Sequence, residues 1–205
     1  MDNLITFSIT VFTGFFAIMN PIANVPIFSA LVQGANKNTQ KRIAKNATLI
    51  AFIIVVSFVV LGKFIFELFG ITIPAFKITG GILIFYVGFE MLQSKKSAVK
   101  HLKNPNIDEN IAVSPLAIPI LAGPGTIVTA MNFVTKPDII HISGVIAVFA
   151  LMCLLTYFFF VISDKIVKAL GNNVISVIGK IMGLIIAIIG TNMILEGIKI
   201  AFNIG

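Results

Sequence analysis

Apolar residues run through this chain in stretches far longer than a soluble helix or strand needs, and polar residues gather in short clusters between them. About 20 consecutive apolar residues suffice for a helix to cross a bilayer. Six such runs are legible, at 4–32, 43–62, 71–92, 112–135, 140–163 and 174–200. The first is anomalous, because no charge occurs from Asn3 to Asn36. At about 1.5 Å per residue, a continuous helix of that length overshoots a hydrocarbon core of about 30 Å. A break at Asn20-Pro21 absorbs the excess more naturally than tilt alone. The fourth run carries a matching interruption, Gly123-Pro124-Gly125.

Composition agrees with the pattern. Of 205 residues, 58% are hydrophobic and 11% charged, far below the quarter or so that is charged in soluble domains. The chain therefore reads as a multi-pass membrane protein whose first partner is the lipid bilayer. Its formal net charge is +7, but the placement of the basic residues matters more than their sum. Lys37, Lys41, Arg42, Lys45, Lys95, Lys96, Lys100, Lys103, Lys165 and Lys168 follow runs one, three and five, whereas the other side has Lys63, Lys77, Lys136 and Lys199. The positive-inside rule puts the first group in the cytoplasm and both termini outside a cell membrane, and it leaves nucleic acid without support. Lys180, just inside the last run, can snorkel to the interface. Cys153 lies in an apolar run, where a small core residue is expected. No cofactor and no metal site is expected, and the absence of a P-loop argues against direct nucleotide use.

No linker divides the chain, so a single membrane domain is expected over 1–205, with a first three-helix repeat at 1–94, a cytoplasmic linker at 95–111 and a second repeat at 112–205. Asn20-Pro21 and Gly123-Pro124 are 103 positions apart, and Gly81 and Gly88 precede Gly183 and Gly190 by 102. With three spans per half, the second copy enters from the opposite face. The expected fold is all-α: six transmembrane helices as a 3+3 inverted repeat, with helices one and four broken at the midplane.

The breaks read as helix restarts. Proline at the first position of a helix costs neither a donor nor a clash. Asn20 before Pro21 and Gly123 before Pro124 both serve as caps. The following N–H groups, on Ile22, Ala23, Gly125 and Thr126, then have no partner in their own helix, and they direct positive helix ends at a common centre. Carbonyls at the ends of the preceding half-helices, near Met19 and Ala122, can accept from an ammonium group. A small zwitterion matches both sets of groups. Asn24, Thr126 and Thr129 add uncharged polar contacts, and the lack of ionisable side chains near either break disfavours a strongly charged solute. The candidate substrate-binding residues are therefore Asn20, Pro21, Ile22, Ala23, Asn24, Gly123, Pro124, Gly125 and Thr126. Kinking is expected at Pro26, Pro115 and Pro119, and close helix packing at Gly179 and Gly183. Glu90, Glu196, His101 and His141 are expected near the interfaces.

The segments 19–28 (MNPIANVPIF) and 115–126 (PLAIPILAGPGT) resemble those of the MarC family of integral membrane proteins. That resemblance implies kinship with SnatA-type transporters of small neutral amino acids such as glycine and alanine, and with LysE-like exporters. It transfers function only at the two matching segments. The leading expectation is a secondary transporter working by alternating access, with Na⁺ or H⁺ open as the coupling ion and oligomeric state open. Export of another small metabolite or drug, or a non-transporting structural or regulatory role, stands as the alternative. An intramembrane enzyme would need a nucleophile with its base, paired aspartates or metal ligands at membrane depth, and none is visible.

Overall fold

The computed structural model describes residues 2–93, 112–134 and 138–203, and every regular element among them is helical. The expected linker at 95–111, with His101, lies outside the described residues. In chain order the helices are α1 (Asp2–Met19), α2 (Pro21–Leu31), α3 (Lys37–Phe69), α4 (Ile73–Leu92), α5 (Val113–Leu121), α6 (Pro124–Phe133), α7 (Ile139–Val161) and α8 (Ser163–Phe202).

Among the described residues, five stretches are long and apolar enough to cross a membrane: Leu4–Leu31, which includes the break between α1 and α2, then Lys37–Gly62, Ile73–Leu92, Ile139–Val161 and Asn173–Phe202. The fourth apolar run differs from these. It consists of two short helices, nine residues in α5 and ten in α6. Pro115 and Pro119 lie within α5, whose backbone takes the wider π form, with Ala122 N–H donating to Ala117 O at 2.8 Å. Prolines remove regular helical donors, and a local π register is one way to accommodate them.

Two helices outrun their apolar cores for local reasons. Asn36 caps α3 by accepting from Thr39 N–H at 2.8 Å, so the helix begins among the basic residues six positions before the apolar run, and Gly70 ends it at φ 61°. α8 bends at Gly171, with φ 72° and ψ 158°, which sets a short polar segment before the spanning part.

α4 and α8 form the most extensive pair, α3 packs on α7, and α1–α2 and α5–α6 lie between these pairs. Apolar burial does not by itself drive helices together in lipid, so close packing and shape must hold them. Glycines permit it here. A Cβ on Gly183 would lie 2.9 Å from Gly88 O, and one on Gly197 would lie 3.0 Å from Pro74 O. Elsewhere aromatic rings fill the gaps: Phe28 of α2 stacks on Phe160 of α7 with centroids 4.4 Å apart, and Phe15 of α1 meets Phe149 of α7 at 4.9 Å.

Polar ties close both ends. Lys37 Nζ of α3 reaches Asp164 at 2.6 Å, and Ser29 Oγ of α2 donates to the same carboxylate at 3.4 Å. The Lys37 ammonium holds Asp164 below the usual carboxylate range. Lys77 of α4 pairs with Glu196 of α8 at 2.6 Å. Cys153 is buried in the core and Glu90 is exposed near the end of α4, as the sequence suggests.

Candidate functional site

The first break is a turn held by its own asparagines. Asn20 takes the left-handed conformation, φ 38° and ψ 65°, which few side chains other than asparagine tolerate. Its Oδ1 accepts from Ala23 N–H at 3.2 Å, and Pro21 occupies the first position of α2. Asn24 Nδ2 donates to Met19 O at 2.7 Å. Two groups expected to await a solute, the Ala23 N–H and the Met19 carbonyl, are thus already partnered within the turn. Exposed caps at membrane depth are expensive, and short polar side chains one turn apart can satisfy them locally.

The second break has no such internal ties. Gly123 is extended at φ −71° and ψ 168°, no side chain caps α6, and Pro124 fills its first position. Gly123 O accepts from Ile127 N–H at 3.1 Å. Gly125 and Thr126, in the first turn of α6, retain N–H groups with no carbonyl four residues back inside the helix. Gly125, Thr126 and Gly123 are buried, whereas Pro124 is exposed. Ile22, Ala23 and Asn24 are half-buried and Pro21 is buried.

α1 and α6 bring the breaks together. A Cβ on Gly14 would lie 3.9 Å from Thr129 Cγ2, and one on Gly125 would lie 3.0 Å from Ile18 Cδ1, so the two helices run antiparallel. Carried two residues further, that register brings Asn20 level with Gly123. Ala17 of α1, Ile84 of α4, Val128 of α6, and Ile186 and Met193 of α8 form an apolar cluster on one side, and Met19, Leu121 and Ala122 belong to the larger core on the other.

Within this apolar setting, polar atoms stay unused. Asn20 is 2% exposed and its Nδ2 has no hydrogen-bond partner among the described residues; Thr129 is 5% exposed and its Oγ1 has none there either. Thr48 and Thr156, the buried threonines of α3 and α7, instead return their hydroxyls to carbonyls four residues back, at 3.0 and 2.8 Å. An unpartnered buried polar atom is costly, so its persistence calls for a reason such as a ligand. No ionisable residue lies on α2, α5 or α6, and on α1 the sole one is Asp2 at its start. Among the described residues, no group of His, Cys, Asp or Glu is arranged to hold a metal ion.

A cavity of about 620 Å³ opens at the far end of α6, walled by Val59, Gly62, Phe66, Met131 and Ile142, with Glu67 among its lining residues.

The family model described as MarC family integral membrane protein matches residues 5–202. The chain belongs to the MarC family. Relatives in that family are similar along their whole length: a UPF0056 membrane protein YvbG of Bacillus subtilis is 39% identical over 98% of each chain. A UPF0056 membrane protein PH0760 of Pyrococcus horikoshii is 40% identical over 100% of each. A UPF0056 membrane protein MJ1677 of Methanocaldococcus jannaschii is 33% identical over 93% of this chain and 95% of its own. No solved structure matches this MarC protein.

The residues that surround the MarC breaks without being part of them, Gly14, Ile18, Gly80 and Ile84, carry no signal in the linear sequence. A glycine facing a partner helix looks like any other glycine until the helices are paired. Thr129 is visible as half of a polar i, i+3 pair with Thr126, but its lack of a partner is a property of the packed structure.

Proposed function

We propose that this protein is a secondary transporter of a small neutral amino acid of the glycine or alanine type, which it binds between the two broken helices and moves by alternating access. The single observation that carries this reading is the unpartnered Nδ2 of Asn20 and Oγ1 of Thr129, on residues each more than nine-tenths buried, where α1 and α6 bring the breaks level. Nδ2 of Asn20 offers a donor to a carboxylate, the first-turn N–H groups of α6 offer more, and the half-helix dipole favours negative charge at that end. The second break supplies most of the binding groups, because the first uses its own Ala23 N–H and Met19 carbonyl internally.

The same reading takes the helices as six spans in a 3+3 inverted repeat, with α5–α6 as the broken fourth span. It is supported by pairings that survive exchange of the halves: α1 and α2 on α7 answer α5 and α6 on α3, and Gly81 with Gly190 answers Gly183 with Gly88. Repeats of this kind place substrate sites at discontinuous helices. A cell-membrane location with both termini outside, coupling to Na⁺ or H⁺, and no enzymatic reaction complete the proposal.

The test is counterflow of labelled glycine and alanine in proteoliposomes. Uptake that is saturable, competed by small zwitterions and reduced by Thr129→Val supports the site. Uptake indistinguishable from empty liposomes, or unaffected by replacing Gly123 and Gly125 with Leu together, overturns it. The largely apolar cavity at the far end of α6 favours a second reading, export of a larger apolar metabolite or drug. Competition by apolar amines but not by glycine would select that alternative.

A further inference from the structure

The spanning part of α8 presents three faces. Gly183, Gly190 and Gly197 turn towards α4, where an added Cβ on any of them would meet α4 backbone. Gly179 lies against Ala23 of α2, and Ile186 and Met193 are buried against α1, α4 and α6. The remaining face, on which Leu184 and Thr191 are also exposed, carries a stripe of Ile181, Ile185, Ile188, Asn192 and Leu195, whose four apolar members are between 39% and 52% exposed.

The spacing of that face is 4, 3, 4, 3, which is the a/d pattern of a helix that pairs with another helix. In that register Ile185 and Asn192 take a positions, and Ile181, Ile188 and Leu195 take d positions. Asn192 is one turn inside Glu196, which pairs with Lys77. The Asn192 amide makes no hydrogen bond among the described residues, although Thr191 beside it returns its hydroxyl to Ala187 O at 3.0 Å. An asparagine is too short to snorkel out of the hydrocarbon as a lysine does.

We propose that two copies of this chain associate through α8, parallel and related by a two-fold axis along the membrane normal, with Asn192 of one copy hydrogen-bonded to Asn192 of the other. Lipid chains cover isoleucine and leucine well, but they leave an amide without a donor or an acceptor. A second copy meets both needs at once, because an amide is self-complementary and a two-fold axis sets identical residues opposite each other. A single asparagine at an a position fixes register and oligomer state in paired helices, and polar side chains hold helices together in lipid. The glycine face is already filled by α4, so the stripe is free to serve the partner. This inference does not depend on the transported solute.

The test is subunit counting by single-molecule photobleaching of labelled protein in bilayers, combined with cysteine cross-linking in a Cys153→Ala background. The expected result is two bleaching steps for the native chain, and disulfide-linked dimers from Ile188→Cys but not from Leu154→Cys, which lies exposed on α7. Asn192→Leu should weaken association about tenfold while leaving the melting temperature of the detergent-solubilised monomer unchanged, since Asn192 bonds nothing among the described residues of its own chain. Asn192→Gln should retain most of the association. Single-step bleaching at high protein density, equal cross-linking at both positions, or unaltered association of Asn192→Leu overturns the proposal.

Discussion

Gly190 of α8 and Gly81 of α4 face each other so closely that a Cβ on either would lie 2.6–2.7 Å from the other's carbonyl oxygen. Neither position can accept even a methyl group without moving a helix backbone. Gly190→Ala should therefore lower the melting temperature in detergent, at a cost of about 1–3 kcal/mol, as expected for overpacking. Gly144→Ala is the matched control: its new Cβ would lie 3.7 Å from a ring carbon of Phe7, an ordinary contact, and it should be neutral or slightly stabilising. Equal effects of the two substitutions would show that the α4–α8 contact has room for a methyl group.

Asn20 combines a left-handed backbone with a side-chain cap, and two substitutions separate these contributions. Asn20→Gly keeps the backbone conformation and, as glycine is nearly as good at a cap, should cost only a few tenths of a kcal/mol. Asn20→Ala loses the cap and puts a Cβ on a left-handed residue, which should cost about 2 kcal/mol or more. Both remove Nδ2, so both should lose transport. Thermal melting and proteoliposome uptake on the same preparations would show whether Asn20→Gly is stable yet inactive. Full activity in Asn20→Gly would remove the amide from the binding site.

The breaks and the long spans were legible because proline, glycine and apolar run length act locally. Asn20 at the end of α1, Pro21 and Pro124 opening their helices, and Met19 and Ala122 bounding the half-helices all follow from the chemistry of single positions. What could not be read were partners distant in sequence. Ala23 N–H looks free along the chain, but the conformation of Asn20 turns its side-chain Oδ1 onto it. Lys77 and Glu196 read as separate interfacial charges until α4 and α8 are laid together. α3 also extends beyond the apolar run at 43–62 at both ends, because a capped helix continues into polar residues after its apolar stretch has ended.

Acid sensitivity should reside at the ends of the bundle. Ile140 N–H and the His141 ring hold Asp138 below the usual carboxylate range, with Oδ2 2.7 Å from Nδ1 of His141, and Lys37 does the same for Asp164. A carboxylate whose folded pKa is depressed contributes stability that is fully present above its unfolded value. That contribution disappears as pH falls through the folded value. The melting temperature should therefore be insensitive to these groups above about pH 4–5 and should fall below that range. Asp164→Asn should flatten part of the acid limb. An unchanged limb in both Asp164→Asn and Asp138→Asn would place the acid-sensitive groups elsewhere.

Thr129 offers the sharpest separation of structural from functional roles. Replacing it with valine conserves shape and removes a buried hydroxyl that has no partner, so the folded protein loses a desolvation penalty and no hydrogen bond. Thr129→Val should raise stability or leave it unchanged, with a gain of about 1 kcal/mol at most. Thr156→Val is the structural comparison, because that hydroxyl bonds Met152 O, although a helical carbonyl so bonded keeps its backbone partner and the loss should be small. If Thr129 contacts the solute, Thr129→Val should raise the half-saturating glycine concentration about tenfold, the effect of losing one hydrogen bond, and Thr129→Ser should restore it. Structural packing alone predicts the reverse ordering: the serine variant, missing a methyl group, would melt lower, and neither variant would alter uptake once equal amounts of folded protein are compared.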